Sequence, residues 1–257
     1  MSRVERSFAV TGRPRLEVKV KSGDIRIRQS ATDDVVVVLD GSDKWLERIS
    51  IDQIGDDTIR VEATGRTGLL GRVEVVASVP AGSDVDIKVE SADVFVDVDV
   101  TELRVGVGSG DVRAGLVTGN AQIKAGSGDI HIDEIQGDLE VSVASGDVRV
   151  KEVLGDTKAK GASGDIVLER VAGRVEGSTA SGDITIRAFE GPDLRVTALA
   201  GDVTLGIPAG RTLDVQLQTM SGDVINDLGA ASGERTGAAS LRIKTMAGDI
   251  RLKPAKG

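Results

Sequence analysis

The triplet Ser-Gly-Asp, followed by Ile or Val, returns along this chain at a pitch of 18 residues. Its aspartates stand at Asp111, Asp129, Asp147, Asp165 and Asp183, and the spacing then loosens to Asp202, Asp223 and Asp249, with Ala in place of Ser before Asp202 and Asp249. A fixed period of this length is the signature of a repeat architecture, in which one small unit cannot bury its apolar face alone and must stack on its neighbours.

A half-period of nine lies inside the repeat. Asn120, Asp138, Asp156, Arg174 and Asp193 fall midway between the Ser-Gly-Asp sites, mostly behind Gly119, Gly137, Gly155 and Gly173, and the same phase passes through Glu102, Asp93 and Asp84. Each coil therefore reads as two similar halves, each a turn and a short strand. The segments between turns alternate with period two: Ile130 and Ile132 oppose His131, and Leu139, Val141 and Val143 oppose Glu140 and Ser142. Helix periodicity is absent. A Gly every nine positions would cost a helix about 1 kcal/mol each time, and the apolar residues are mostly β-branched.

Stacking coils about 4.8 Å apart buries these strands. One predicted interior column is Val112, Ile130, Val148, Ile166, Ile184, Val203; the facing one is Ala121, Leu139, Thr157, Val175, Leu194. The smaller members of the second suggest a thin core. The outward columns support the stack independently, because residues 18 apart become neighbours and like charges would repel. Glu140, Lys158, Glu176, Arg195 alternates in sign at every step, and so does Asp133, Lys151, Glu169, Arg187. The expected fold is all-β: a β-solenoid of stacked 18-residue coils with two short strands per coil.

The expected organisation is a single β-solenoid domain over 1–257. Residues 1–80 form a less regular N-terminal β lead-in that covers one end of the stack, 81–225 the regular repeats, and 226–257 the closing strands and tail. Within the lead-in, Ser22-Gly23-Asp24-Ile25 is an early copy of the motif, and Val35 to Leu39, Ile59 to Ala63 and Val73 to Val79 read as strands. Trp45 and the pair Leu69-Leu70 are expected to cap the core. Ser232 to Gly237 reads as an exposed loop, and Leu241 to Lys244 with Ile250 to Lys253 as the strands that close the array.

Composition narrows the function. With 41 Asp+Glu against 32 Lys+Arg, a net charge of -9 argues against nucleic acid as a partner. One Trp, three Phe and no Tyr leave little for base-stacking platforms or sugar clefts, and the absence of Cys removes thiolate and disulfide chemistry. No run of 18 apolar residues and no signal-peptide pattern occurs, so the expected location is cytoplasmic, with any membrane contact made indirectly through a partner.

The aspartate column alone breaks charge alternation, so something must offset its repulsion. The expected explanation is turn chemistry, in which Gly supplies a positive φ and Asp accepts a backbone N–H two residues on. The competing one is a row of calcium ions along that edge. His131, the only histidine, reads as a surface residue beside Arg113 and Arg149. Gly106-Val107-Gly108-Ser109-Gly110 lacks the Lys-Ser/Thr end of a phosphate loop. No catalytic, cofactor-binding or metal residues are assigned, and no enzyme is expected.

Phe8-x-Val10, the Leu16-x-Val18 strand, Ser22-Gly23-Asp24-Ile25, Val79-Pro80-Ala81-Gly82 and the serial Ser-Gly-Asp-Ile/Val coils together resemble DUF4097. This family of bacterial β-strand-repeat proteins is also called "putative adhesin" or toast-rack, and the resemblance covers nearly the whole chain. It implies a non-enzymatic scaffold or protein-interaction module in a cell-envelope stress assembly, and it supplies no catalytic residues. The alternatives are an adhesin-like surface protein and a self-assembling β-solenoid polymer, since open solenoid ends offer unpaired strand edges.

Overall fold

The computed structural model describes residues 2–63, 72–228 and 238–255. They form two compact units, Met1–Gly128 and Asp129–Gly257. Unit 1 runs β1 (Ser2–Phe8), β2 (Arg15–Ser22), β3 (Ile25–Gln29), β4 (Val35–Gly41), α1 (Asp43–Leu46), β5 (Ile49–Ile54), β6 (Thr58–Ala63), β7 (Glu74–Val79), β8 (Ser83–Ser91), β9 (Val94–Asp97), β10 (Val100–Ser109), β11 (Val112–Val117) and β12 (Ala121–Ser127). Unit 2 runs β13 (Ile130–Ile135), β14 (Leu139–Ser145), β15 (Val148–Val153), β16 (Thr157–Ser163), β17 (Ile166–Val171), β18 (Val175–Ser181), β19 (Ile184–Phe189), β20 (Asp193–Ala200), β21 (Val203–Ile207), β22 (Thr212–Ser221), β23 (Val224–Asn226), β24 (Ala238–Ala247) and β25 (Ile250–Pro254).

In both units the strands pair in parallel with their equivalents one coil away, which makes the chain a β-solenoid. The predicted register holds: Glu140 lies beside Lys158, Lys158 beside Glu176, and Glu176 beside Arg195. Both predicted interior columns are buried, including Thr157. A third column escaped the sequence reading. Ile135, Val153, Val171 and Phe189 of unit 2, all fully buried, recur at a pitch of 18 residues, and Val117 of unit 1 is likewise fully buried. It arises because strands such as β13 turn two consecutive residues outward after Ile132 and then point inward again at Ile135. The core is thus wider than two facing strands of five residues would give.

At each end the spatial order departs from chain order. In unit 1, β2 pairs with β6 on one side and β8 on the other, and β3 likewise with β7 and β9. The early Ser-Gly-Asp copy is therefore an ordinary interior coil, and β6 with β7 is the outer one. That outer coil is covered by antiparallel strands: β5 on β6, β4 on β7, and β1 on β4. The covering role belongs to β1, β4 and β5 rather than to the whole lead-in.

In unit 2, β24 pairs with both β20 and β22, and β25 with both β21 and β23. The expectation that the last strands close the array is corrected: they slot in between two earlier coils, and β22 with β23 is outermost. β24, covered on both sides, carries Ala239, Leu241, Ile243 and Thr245 on its inward face, all buried, whereas their register partners on the outermost strand, Leu213, Val215, Leu217 and Thr219, are left exposed or half-exposed.

Candidate functional site: an aspartate edge and a charged groove

Each Ser-Gly-Asp corner is built by backbone geometry. Gly164 has φ +109° and Gly182 +135°, a region open to Gly, and a Cβ on either would strike the carbonyl of the equivalent glycine one coil back. The aspartate then does something other than the predicted local turn bond. Its Oδ1 accepts the backbone N–H of the equivalent aspartate in the adjoining coil. The bonds run Asp147 to Asp129 at 2.9 Å, Asp165 to Asp147 at 3.0 Å, Asp183 to Asp165 at 2.9 Å and Asp202 to Asp183 at 2.8 Å. They continue in spatial order, Asp249 to Asp202 and Asp223 to Asp249, both at 2.8 Å.

This ladder supplies what offsets the stacked charge. Each N–H···O⁻ bond is charge-assisted and worth roughly twice a neutral one, against a repulsion of about 1 kcal/mol per neighbouring pair in water. Arginines add to it, with Arg149 3.1 Å from Asp147 Oδ2. A second ladder follows the half-period: Asp156 N–H donates to Asp138 Oδ1 and Arg174 N–H to Asp156 Oδ1, both at 2.8 Å. In unit 1, Asp24 instead receives the Arg72 guanidinium on both oxygens, at 2.7 and 2.8 Å. Among the described residues no group of three or more His, Asp or Glu is placed to hold a metal ion.

The outward charge columns of unit 2 line a groove of about 850 Å³, whose walls include Asp133, Lys151, Glu169 and Arg187 from one column and Glu152 and Arg170 from the next. Lys151 lies 2.6 Å from Asp133, and Arg170 lies 3.3 Å from Glu152. The Lys151 hydrogen bond holds the Asp133 carboxyl below the usual carboxylate range, and the same contact raises the Lys151 ammonium. Lys253 completes the wall in the register position of Gly206, and neither it nor Arg187 makes an ion pair among the described residues.

The remaining candidates separate. His131 is half-exposed, pairs in register with Arg149 and lies 3.4 Å from Asp133, as a surface residue. Trp45 does not cap the core. It is only half-buried, with Lys44 and Arg48 5.5 and 5.3 Å from its ring, while Leu46 is the buried residue of α1. An indole ring with cations over its face keeps its amphipathic body at the surface, and Leu46 fits the space beside Gly41. Leu69-Leu70 and Ser232 to Gly237 lie outside the described residues. One wall of the groove was legible as the alternating column Asp133, Lys151, Glu169, Arg187; the other, Glu134, Glu152, Arg170 and Ala188, does not alternate in sign and was not read, and Lys253 joins the first only through the reordered coils.

The solved structure of a Bacteroides fragilis protein designated a "putative adhesin" shares the fold, with a TM-score of 0.50 at 14% identity over 98% of this chain and 97% of that one. A "putative adhesin" from Parabacteroides distasonis aligns at 10% identity over 97% of each chain with a TM-score of 0.42. A "putative cell adhesion protein" from Clostridium sporogenes aligns at 12% identity over 98% of this chain and all of that one, with a TM-score of 0.29. None of the curated proteins matches the chain in sequence. The family model Toastrack DUF4097 matches residues 13–253, nearly the whole stack of coils from the first buried strand to the last, and the chain belongs to that family.

Proposed function

We propose that the chain is a non-enzymatic interaction module that binds a protein partner through the charged groove of unit 2. The observation that carries this reading is the groove's composition: the carboxylates Asp133, Glu134, Glu152 and Glu169 and the cations Lys151, Arg170, Arg187 and Lys253, set at strand spacing along one open face. Small-molecule and cofactor sites are mostly apolar clefts with a few convergent polar groups. A wide polar groove with charges of both signs suits an extended stretch of polypeptide that carries the complementary pattern, for which charge sets register and on-rate. A photo-cross-linking residue at Thr185 tests it. Cross-links to a protein are expected in cells, and R187E with K253E should abolish them; cross-links absent, or indifferent to both reversals, would refute the groove as the binding site.

Two placements of this module differ in what they bind. A scaffold in a cell-envelope stress assembly, the role implied by the family resemblance, keeps the chain in the cytoplasm. An adhesin-like role is supported by the designation of the Bacteroides fragilis protein that shares the fold. Fractionation of the producing cells separates them: protein on the outer surface favours the adhesin, and protein confined to the cytosol favours the scaffold.

A further inference from the structure

The two units treat their outer coils differently. In unit 1 the outer coil is covered, and its inward residues Ile59, Val61, Val75, Ala77 and Val79 have no exposed surface. The strands that cover it carry guards against further pairing, such as Arg3, Glu5 and Arg6 on β1 and Asp52 on β5. In unit 2 the outer edge of β22 and β23 pairs with no strand among the described residues. The apolar columns pass straight out into solvent there. Leu241 and Ile250 are fully buried, while their register partners Val215 and Val224 are 38% and 48% exposed.

Three further features point to what covers this edge. First, β22 has one charge, Asp214, in ten residues and no Lys, Arg or Pro, so nothing guards it. Second, the outward position just before each corner is small in the earlier coils of unit 2, as Ala144, Ala162 and Ala180, and becomes Leu199, Met246 and Met220 in the last three. These three lie in spatial order along one column, 51%, 51% and 74% exposed, and form an apolar stripe that ends at the open edge. Third, Asp223 is the last rung of the ladder, and its carboxylate accepts no backbone N–H among the described residues.

We infer that a second copy of this chain covers the edge, β22 lying antiparallel to β22 across a two-fold axis. An isologous contact joins the same surface from both copies, so two strand edges running the same way in their own chains meet antiparallel. Each copy's row of unpaired N–H and C=O groups is satisfied, the core columns continue from one copy into the other, and each apolar stripe reaches the interface at its own end of the strand pair, where the partner's β22 covers Met220. Antiparallel pairing also sends the two Asp223 carboxylates to opposite ends of the strand pair, roughly 30 Å apart for a strand of this length, so the edge does not repel itself. Anionic lipid fits poorly, because Asp202, Asp249 and Asp223 flank the stripe. Assembly stops at two copies, since the covered outer coil of unit 1 offers no equivalent edge for a head-to-tail polymer.

Analytical ultracentrifugation of the full chain from low to hundreds of micromolar tests this, together with V215K and M220K. The wild type should sediment at twice the chain mass, and either lysine should weaken dimerisation at least tenfold. Far-UV circular dichroism keeps the readout independent of folding, and M220K, at the most exposed position, serves if V215K unfolds. The natural chain has no cysteine, so the double variant Q216C/Q218C on β22, which places a thiol opposite a thiol whether the two-fold axis passes at 216, 217 or 218, should form inter-chain disulfides on mild oxidation, while D52C in unit 1 should not. A wild-type monomer at every concentration would overturn the proposal. So would a mass that keeps growing with concentration, or a dimer indifferent to both lysines.

Discussion

Replacing Asp165 separates the hydrogen-bonding role of the ladder from its charge. Asp165 Oδ1 accepts the Asp183 N–H at 2.9 Å, and its own N–H donates to Asp147 Oδ1 at 3.0 Å. Asn keeps an acceptor oxygen in the same place and removes the charge; Ala removes both. For D165N two terms oppose each other. Losing charge assistance costs about 1 kcal/mol, the difference between a charged and a neutral acceptor. Relief from Asp147 and Asp183, about 5 Å away on either side, returns about 1 kcal/mol per neighbour in water, and less where Arg149 already offsets Asp147. D165N should therefore match the wild type or exceed it slightly.

D165A loses the remaining neutral hydrogen bond as well, about 1 kcal/mol. The penalty stays near that value because the corner is exposed and water replaces the lost acceptor. For a chain of this size, D165A should melt about 2–4 °C below D165N. Thermal melts followed by circular dichroism, in low salt and at 0.5 M NaCl, are the assay; salt should raise the wild type relative to D165N by screening the carboxylates. Calcium should leave all three melting temperatures unmoved. Equal destabilisation by Asn and Ala, with a wild-type melting temperature that climbs in calcium, would refute the hydrogen-bond account and make the edge a cation site.

Other substitutions probe the remaining parts of the fold. G164A forces a side chain into φ +109° and against the Gly146 carbonyl, so a loss of about 3 kcal/mol or more is expected, read as a lowered urea midpoint. T179V should stabilise the chain by about 1 kcal/mol in the same titration, because the Thr179 hydroxyl is buried with no hydrogen-bond partner among the described residues. In K151A the Asp133 carboxyl should titrate higher than in the wild type, as followed by NMR. Because the folded-state value is depressed, the stability that this contact contributes is present above the unfolded carboxylate's pKa and is lost as pH falls through the folded value. The gap in stability between wild type and K151A should therefore close in acid.

Periodicity made the stack legible because it imposes two demands at every rung, an apolar residue inside and an opposite charge outside. Columns such as Glu140, Lys158, Glu176, Arg195 could be written from the sequence and stand in the predicted register. The column from Ile135 to Phe189 has the same pitch and could have been found, but it follows two consecutive outward residues, and strict alternation skips it. The interleaving of β24 between β20 and β22 left no such signal: the inward faces are alike, Leu213, Val215, Leu217 and Thr219 against Ala239, Leu241, Ile243 and Thr245, so composition does not say which coil takes the covered place. The aspartate partners were illegible for a related reason: a local turn and an inter-coil bond need the same residue at the same position, and the stack alone decides between them.

Function is less legible than fold because the repeat spends its most regular residues on itself. The corner glycines, the Oδ1 atoms of the ladder and three apolar columns are all engaged in holding one coil to the next, so their periodicity reports architecture. Recognition can then reside only where the period fails. Arg187 and Lys253 stand where the alternating column meets Gly206 in place of an acid. Leu199, Met246 and Met220 stand where earlier coils carry alanine. Both departures fall in the last coils of unit 2, where the chain order is also rearranged. A stack whose coils are otherwise interchangeable gains a distinct end only by such substitutions, and that end is where a partner can tell one coil from another.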